Sequence, residues 1–338
     1  MMKTGRSILL YFLFIGLATF VSCSDDDDDE ITDGDWWEMS DFDGVPRSDA
    51  VSFVIDDIAY IGLGYDGDDR LSDFWKYDPV GNYWLKVATF PGAARNGAVA
   101  FSINGKGYVG TGYNGDDELN DFWEYNPEND EWTQKADFMG TPRYGAIGFA
   151  VDGQGYIGTG YDGNYLKDFF VYSPETDTWE QIISIGGSKR RDASCFVIDD
   201  KAYVMSGLDN GVYLDDLWEF DPSSGYWTEK REISDSDDDN SYDDEYLSIA
   251  RMNGVGLSIN GMGYLLTGST GSMLSNIWEY DPQLDLWAEK TSIEGTTRTE
   301  AVGFAIGSYG YITTGRSSSY YFDDIWAFDP NKEYDEDN

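Results

Sequence analysis

RNGAVAFSINGKGYVGTGYNGDDELNDFWEYNPENDEWTQ, residues 95–134, contains one complete structural unit. Arg95 opens it, and AVAFSI (98–103) follows with the apolar alternation of a half-buried strand. GYVGTG (107–112) reads as a second strand ending in Gly, and DFWEYNP (121–127) as a third that carries a Trp and runs into a turn. A fourth strand holds Trp132.

The same unit recurs on both sides. An arginine opens each copy, at Arg47, Arg95, Arg143, Arg191, Arg251 and Arg298, with spacings of 48, 48, 48, 60 and 47 residues. The first strands read AVSFVI, AVAFSI, AIGFAV, ASCFVI, GVGLSI and AVGFAI, and the fourth-strand tryptophans are Trp84, Trp132, Trp179, Trp227 and Trp287. Four short strands at a period near 50 residues form a propeller blade, so the expected fold is an all-β, six-bladed propeller with four antiparallel strands per blade. The last unit stops at Asp329-Pro330 without its Trp strand, whereas Trp36 lies as far before Arg47 as Trp132 lies before Arg143. The N-terminal segment, near 35–42, is therefore expected to supply the missing outer strand and close the ring, which leaves no open edge. Eleven of the 12 Trp occupy two repeat positions, which points to packing between blades rather than a sugar platform.

These units resemble kelch repeats from about Arg47 to Pro330, through the Arg, the Tyr-x-x-x-Gly, the Trp and the Asp-Pro turn. Of the family's paired glycines only the second is present (Gly64, Gly112, Gly160, Gly207, Gly268, Gly315). The first position holds Leu63, Thr111, Thr159, Ser206, Thr267 or Thr314. The family includes galactose-acting copper oxidases, sialic-acid epimerases and binding scaffolds.

The ends of the chain read differently. Lys3 and Arg6 precede an apolar run from Ile8 to Val21, the size of a secretory core. Phe20-Val21-Ser22-Cys23 resembles a lipobox, so residues 1–22 are expected to be a signal peptide and Cys23 the lipidated N-terminus. The acidic stretch within 23–34 resembles a tag that sends lipoproteins to the outer face of the outer membrane. The expected organisation is an acidic linker at 23–34, a propeller at 35–334 and an acidic tail at 335–338.

Composition narrows the chemistry. With 22 basic and 64 acidic residues the formal charge is −42, which disfavours a nucleic-acid partner. The chain has no histidine, which removes the imidazole bases, the copper ligands of the galactose-oxidase type and the Ser-His-Asp triad. No cofactor is expected. A Ca²⁺ site in the loops Tyr65–Asp69 and Tyr113–Asp117 is a weaker reading than ordinary Asp-Gly and Asn-Gly turns. Asp73, Asp121, Asp168, Asp216 and Asp324, with Asn276 in the remaining unit, precede each third strand and suggest a repeated loop hydrogen bond. Cys195 takes a first-strand slot filled elsewhere by Val51, Val99, Ile147, Val255 or Val302, and reads as core. An insert within Ser234 to Ser248 holds seven acids and reads as a solvated loop.

Antiparallel strands place the six arginines and the loops that begin at Tyr65, Tyr113 and Tyr161 at one mouth of the channel. In peptide-binding members of the resembling family, arginines at this position contact ligand carboxylates. The resemblance thus implies an Arg-lined mouth that binds an anionic glycan or an acidic protein segment, without catalysis. Pairing of each Arg with a loop acid stands beside that reading. A sialic-acid epimerase or mutarotase and a structural part of an outer-membrane assembly remain as alternatives, and the oligomeric state is open.

Overall fold

A computed structural model describes residues 34–232 and 249–335. The apolar N-terminal run, Cys23, most of the acidic linker and the insert at 234–248 lie outside the described residues. Six four-stranded antiparallel sheets make up the described chain, with one additional two-stranded hairpin, Leu208–Asp209 with Val212–Tyr213. The first blade runs Val51–Ile55, Ile58–Gly62, Phe74–Asp78 and Tyr83–Val87, paired in that order.

In the sixth blade the order is Val302–Ile306, Tyr309–Thr313, Ile325–Asp329 and then Asp35–Glu38 from the other end of the chain. Trp36 faces Phe328 in this register, and the two rings stack with centroids 4.7 Å apart. Lys332 pairs with the buried Asp35 beside them. The N-terminal strand therefore closes the ring, as the matching Trp spacings imply.

Neighbouring blades are tied by the fourth-strand tryptophans. Each indole N–H donates to a backbone carbonyl of the preceding blade or its connection. Trp84 reaches Ser40 (3.1 Å), Trp132 reaches Ala88 (3.0 Å), Trp179 reaches Ala136 (3.0 Å) and Trp227 reaches Ile183 (3.3 Å). Trp287 reaches Arg231 (3.1 Å), and Trp36 completes the circuit at Thr291 (3.2 Å). The apolar bodies of these rings fill the space between sheets, so one side chain both packs and fixes register. The same indoles are thereby withdrawn from any sugar platform.

The first strands show strict alternation of buried and half-buried residues, because one face packs on neighbouring blades and the other lines the channel. Small side chains occupy the channel face: Ala50, Ala98, Ala146, Ala193, Gly254 and Ala301 in one layer. Ser52, Ala100, Gly148, Cys195, Gly256 and Gly303 form the next. Cys195 is thus a channel residue, and the packed slot in its blade belongs to Ser194, which pairs with Met205 as Val51 pairs with Gly62. Burial pushes the Cys195 thiol up to about 12, so it remains protonated.

Candidate ligand-binding face

The repeat arginines do not line the mouth. Arg47, Arg95, Arg143, Arg190, Arg251 and Arg298 are all 0% exposed. Each guanidinium is tucked beneath the loop between the second and third strands of its own blade. Arg47 gives Nη1 to the Leu63 carbonyl (3.0 Å) and to Asp73 (2.7 Å), and Nη2 to the other Asp73 oxygen (3.0 Å). Arg95 meets Thr111 and Asp121 in the same way, Arg143 meets Thr159 and Asp168, Arg190 meets Ser206 and Asp216, and Arg298 meets Thr314 and Asp324. Bidentate pairing satisfies the buried charge. The repeated Asp is the internal partner that the sequence regularity implies.

Burial pushes the Asp73 carboxyl up, but the hydrogen bonds and charge of Arg47, with a further bond from the Trp75 indole, outweigh it and hold the group below the usual carboxylate range. Asp121 is held down in the same manner by Arg95 and Trp123. The arginine backbone is used as well: its carbonyl accepts from the paired-position glycine of the preceding blade. Gly64 reaches Arg95 (2.8 Å), Gly112 reaches Arg143 (2.7 Å), and Gly315 closes the series at Arg47 (2.8 Å).

The fourth blade corrects the repeat register. Arg190, not Arg191, takes the buried position: Gly160 donates to its carbonyl and Asp216 accepts from its side chain. Arg191 is one residue further on. It pairs with Leu208 where Ser48 pairs with Tyr65 in the first blade, and its side chain is partly exposed on the rim.

Two residues after each buried arginine stand Asp49, Gly97, Gly145, Asp192, Asn253 and Glu300, all with φ between 50° and 60°. They form the throat of the channel, and their backbones link one blade to the next. Gly97 donates to Asp49, Gly145 to Gly97, Asp192 to Gly145, Asn253 to Asp192 and Asp49 to Glu300, at 2.8–3.2 Å. A cavity of about 160 Å³ sits within this ring. Three carboxyls share it. Burial pushes Asp192 up to about 6, against the pull of Arg191 and with a further push from Glu300. Burial likewise raises Asp49, helped by Glu300 and Asp192.

Around the throat runs an arc of half-buried aromatic and guanidinium groups. Tyr321 meets Tyr65 (6.1 Å between centroids), and Arg70 lies over the Tyr65 and Tyr113 rings at 5.3 and 4.7 Å. Tyr113 meets Tyr144 at 5.7 Å, Tyr144 meets Tyr161 at 5.7 Å, and Tyr161 meets Tyr165 at 5.2 Å. Arg191 lies over the last three rings and donates to the Tyr144 hydroxyl at 2.8 Å. Tyr65, Tyr113 and Tyr161 are therefore on the face where the sequence reading places them. Arg70, Tyr144, Tyr165 and Tyr321 join them.

A loop-end position explains part of this arc. Arg70, Tyr213 and Tyr321 each lean toward a glycine in the next blade's loop. A Cβ on Gly67 would come within 2.8 Å of Tyr321, and one on Gly115 within 2.7 Å of the Arg70 Nη1. On Gly271 it would lie 3.7 Å from the Tyr213 hydroxyl. Gly115 also has φ +108°, so the Asn-Gly turn provides both the bend and the seat.

The first polar side chain of each of these loops serves the turn. Asp66 accepts from the backbone N–H groups of Asp68 and Asp69, and Asn114 from those of Asp116 and Asp117. No group of three or more potential metal ligands occurs among the described residues.

The Kelch motif family model matches residues 46–91, 94–139, 155–182 and 189–232. No curated protein matches the chain. A solved structure described as "Structure of YjhT" is similar over 85% of this chain and 96% of that one, with a TM-score of 0.70 and 18% identity, a likeness of fold. With the repeated Arg, Gly and Trp positions now assigned to the joints between and within six closed sheets, this chain is a six-bladed β-propeller of kelch repeats.

Proposed function

We propose that the protein is a binding module, lipid-anchored at Cys23 and displayed at the outer membrane surface, whose loop face engages a carboxylate-bearing ligand, an anionic glycan or an acidic protein segment. The anchoring part of this reading rests on the apolar run, the Cys23 context and the acidic residues behind it. The ligand part rests on one observation, Arg70. Its Nε donates to Asn96 (2.8 Å), two tyrosine rings flank its guanidinium, and among the described residues no carboxylate lies within ion-pair distance of it. In a chain with a formal charge of −42, a guanidinium on the rim without an acid is a vacant bidentate donor. Arg191 and Arg316 flank the same arc but are engaged by Asp192 and Glu300.

The test is binding of the wild type and Arg70→Gln to immobilised acidic and neutral oligosaccharides and acidic peptides, with thermal melting as a folding control. Carboxylate-dependent binding that the variant loses at unchanged melting temperature is the expected result. Equal binding by both proteins, or none to any carboxylated probe, would count against the proposal.

A mutarotase-type enzyme is the second reading, favoured by one feature: the Asp192 carboxyl, pushed up to about 6, can exchange protons near neutrality at the floor of the same face. Anomer exchange of N-acetylneuraminate followed by NMR tests it. Acceleration that Asp192→Asn abolishes would favour the enzyme, and an unaccelerated rate would favour the binder.

A further inference from the structure

We infer that the ligand of the loop face is a glycan with an isolated carboxylate, which Arg70 takes, and whose neutral rings extend over Tyr144, Tyr161 and Tyr165 toward the cleft between the third and fourth blades. This rests on the reading of Arg70 given above and narrows it from carboxylated ligands in general to sparsely charged sugars.

The charges around Arg70 carry the first part. Asp68 and Asp69 of its own loop and Asp116 and Asp117 of the next are exposed. Their backbone amides form the turns, and their carboxylates appear in no ion pair among the described residues. Arg70 therefore sits between two pairs of outward-facing negative charges. A single carboxylate reaches the guanidinium and is held at short range by directed bonds. A polyacid must also bring its neighbouring charges against those aspartates, and it meets the repulsion of the whole acidic surface on approach. Such an arrangement combines an attractive contact with a built-in penalty for the wrong partner.

The remainder of the arc carries the second part. From Arg70 it continues through Tyr113 and Tyr144 to Tyr161 and Tyr165, all half-buried. Past them is a cleft of about 170 Å³ lined by Tyr161, Gly163, Asn164, Tyr165, Lys189 and Asn210. Gly163 occupies the loop position that Tyr321 and Arg70 cover in the first two blades, yet a Cβ there would meet nothing within 4 Å. The seat is open, and its walls offer two amides, an ammonium and two phenols. Those are donors and acceptors for hydroxyl groups beside aromatic edges, the mixture that suits a sugar ring. Apart from Lys189 these groups are uncharged, so they offer a run of carboxylates a single ion-pair partner.

An array carrying four probe classes decides the matter: neutral oligosaccharides, oligosaccharides with one terminal uronic acid, polyuronates, and glutamate-rich peptides. Wild type, Arg70→Gln and Tyr161→Ala/Tyr165→Ala are compared at equal melting temperature. The expected result is signal concentrated on the singly carboxylated class. It should fall at least tenfold in Arg70→Gln and at least threefold in the double tyrosine variant. Preference for polyuronates or peptides, lost in Arg70→Gln, would overturn the narrowing while leaving an anion-binding face intact. Preference for the singly carboxylated class with no effect of the tyrosine changes would overturn the assigned path. Absence of signal in every carboxylated class would overturn both the inference and the reading beneath it.

Discussion

Arg95 and Asp121 share two hydrogen bonds, Nη1 to Oδ1 at 2.5 Å and Nη2 to Oδ2 at 2.7 Å, and the arginine is wholly buried while its partner keeps a 24% exposed side chain. That asymmetry orders the effects of mutation. Removing the acid strands a buried guanidinium, so Asp121→Ala is predicted to cost about 3–5 kcal/mol in denaturant unfolding. Asp121→Asn should cost clearly less, because its amide oxygen can still accept, as Asn276 does from Arg251 at 3.0 Å. Equal losses for the two variants would show that charge, rather than acceptor geometry, dominates the pair.

The fifth blade offers the reverse experiment. Arg251 is 0% exposed and is held by the carbonyls of Ile249 and Thr267 together with Asn276, and burial lowers its pKa from the ordinary guanidinium value. Restoring the acid that the other five blades carry should help: Asn276→Asp is predicted to stabilise by on the order of 1–2 kcal/mol. A lowered melting temperature would mean that this site has adapted around a neutral partner.

Thr111 sits at φ +59°, is fully buried, and has a hydroxyl without a hydrogen-bond partner in the described structure. A β-branched residue in the left-handed region is strained, and an unmatched buried hydroxyl adds to the cost. Glycine removes both at the expense of chain entropy, so Thr111→Gly should raise stability by about 1 kcal/mol. Destabilisation of the same size would mean that the threonine methyl packs better than its backbone is strained.

Asp192 makes stability pH-dependent in a definite direction. Its carboxyl is raised to about 6 in the folded protein against an ordinary value of 3.8, so the native state binds more protons between those limits. Its favourable contribution is complete below pH 3.8 and is lost as the pH rises through 6. Asp192→Asn, read against wild type, should therefore gain stability from acid to neutral pH, by on the order of 1–3 kcal/mol at pH 7. A difference that stays flat across this range would show that Arg191 already compensates the throat charge.

The sequence made the blades, their number and the closing strand legible because each depends on repetition, and a repeated Trp or Gly announces its position by spacing alone. It misplaced one arginine for a local reason. Lys189-Arg190-Arg191 offers two candidates, and the loop between the second and third strands of the preceding blade is one residue shorter, with Arg143 to Asp168 spanning 25 residues where Arg47 to Asp73 and Arg95 to Asp121 span 26, so equal spacing selects the wrong one. The distance back to the fourth-strand Trp is the better ruler: Trp36 to Arg47, Trp84 to Arg95, Trp132 to Arg143 and Trp287 to Arg298 all span 11 residues, as Trp179 to Arg190 does. The same slip moved Cys195 from the channel wall into the core. The rim was less legible because Arg70, Tyr144 and Tyr165 are not repeated. Arg70 is placed by the seat that Gly115 leaves for a neighbouring blade's side chain, a contact between residues distant in the repeat pattern.

Chemical access to the arginines tests the account most directly. Native protein treated with phenylglyoxal and mapped by mass spectrometry should be modified readily at Arg70, while Arg47, Arg95, Arg143, Arg190, Arg251 and Arg298 stay protected until the protein is unfolded. Modification of Arg95 and Arg143 at the rate of Arg70 in the native state would return those side chains to the channel mouth and contradict the division between structural and rim arginines.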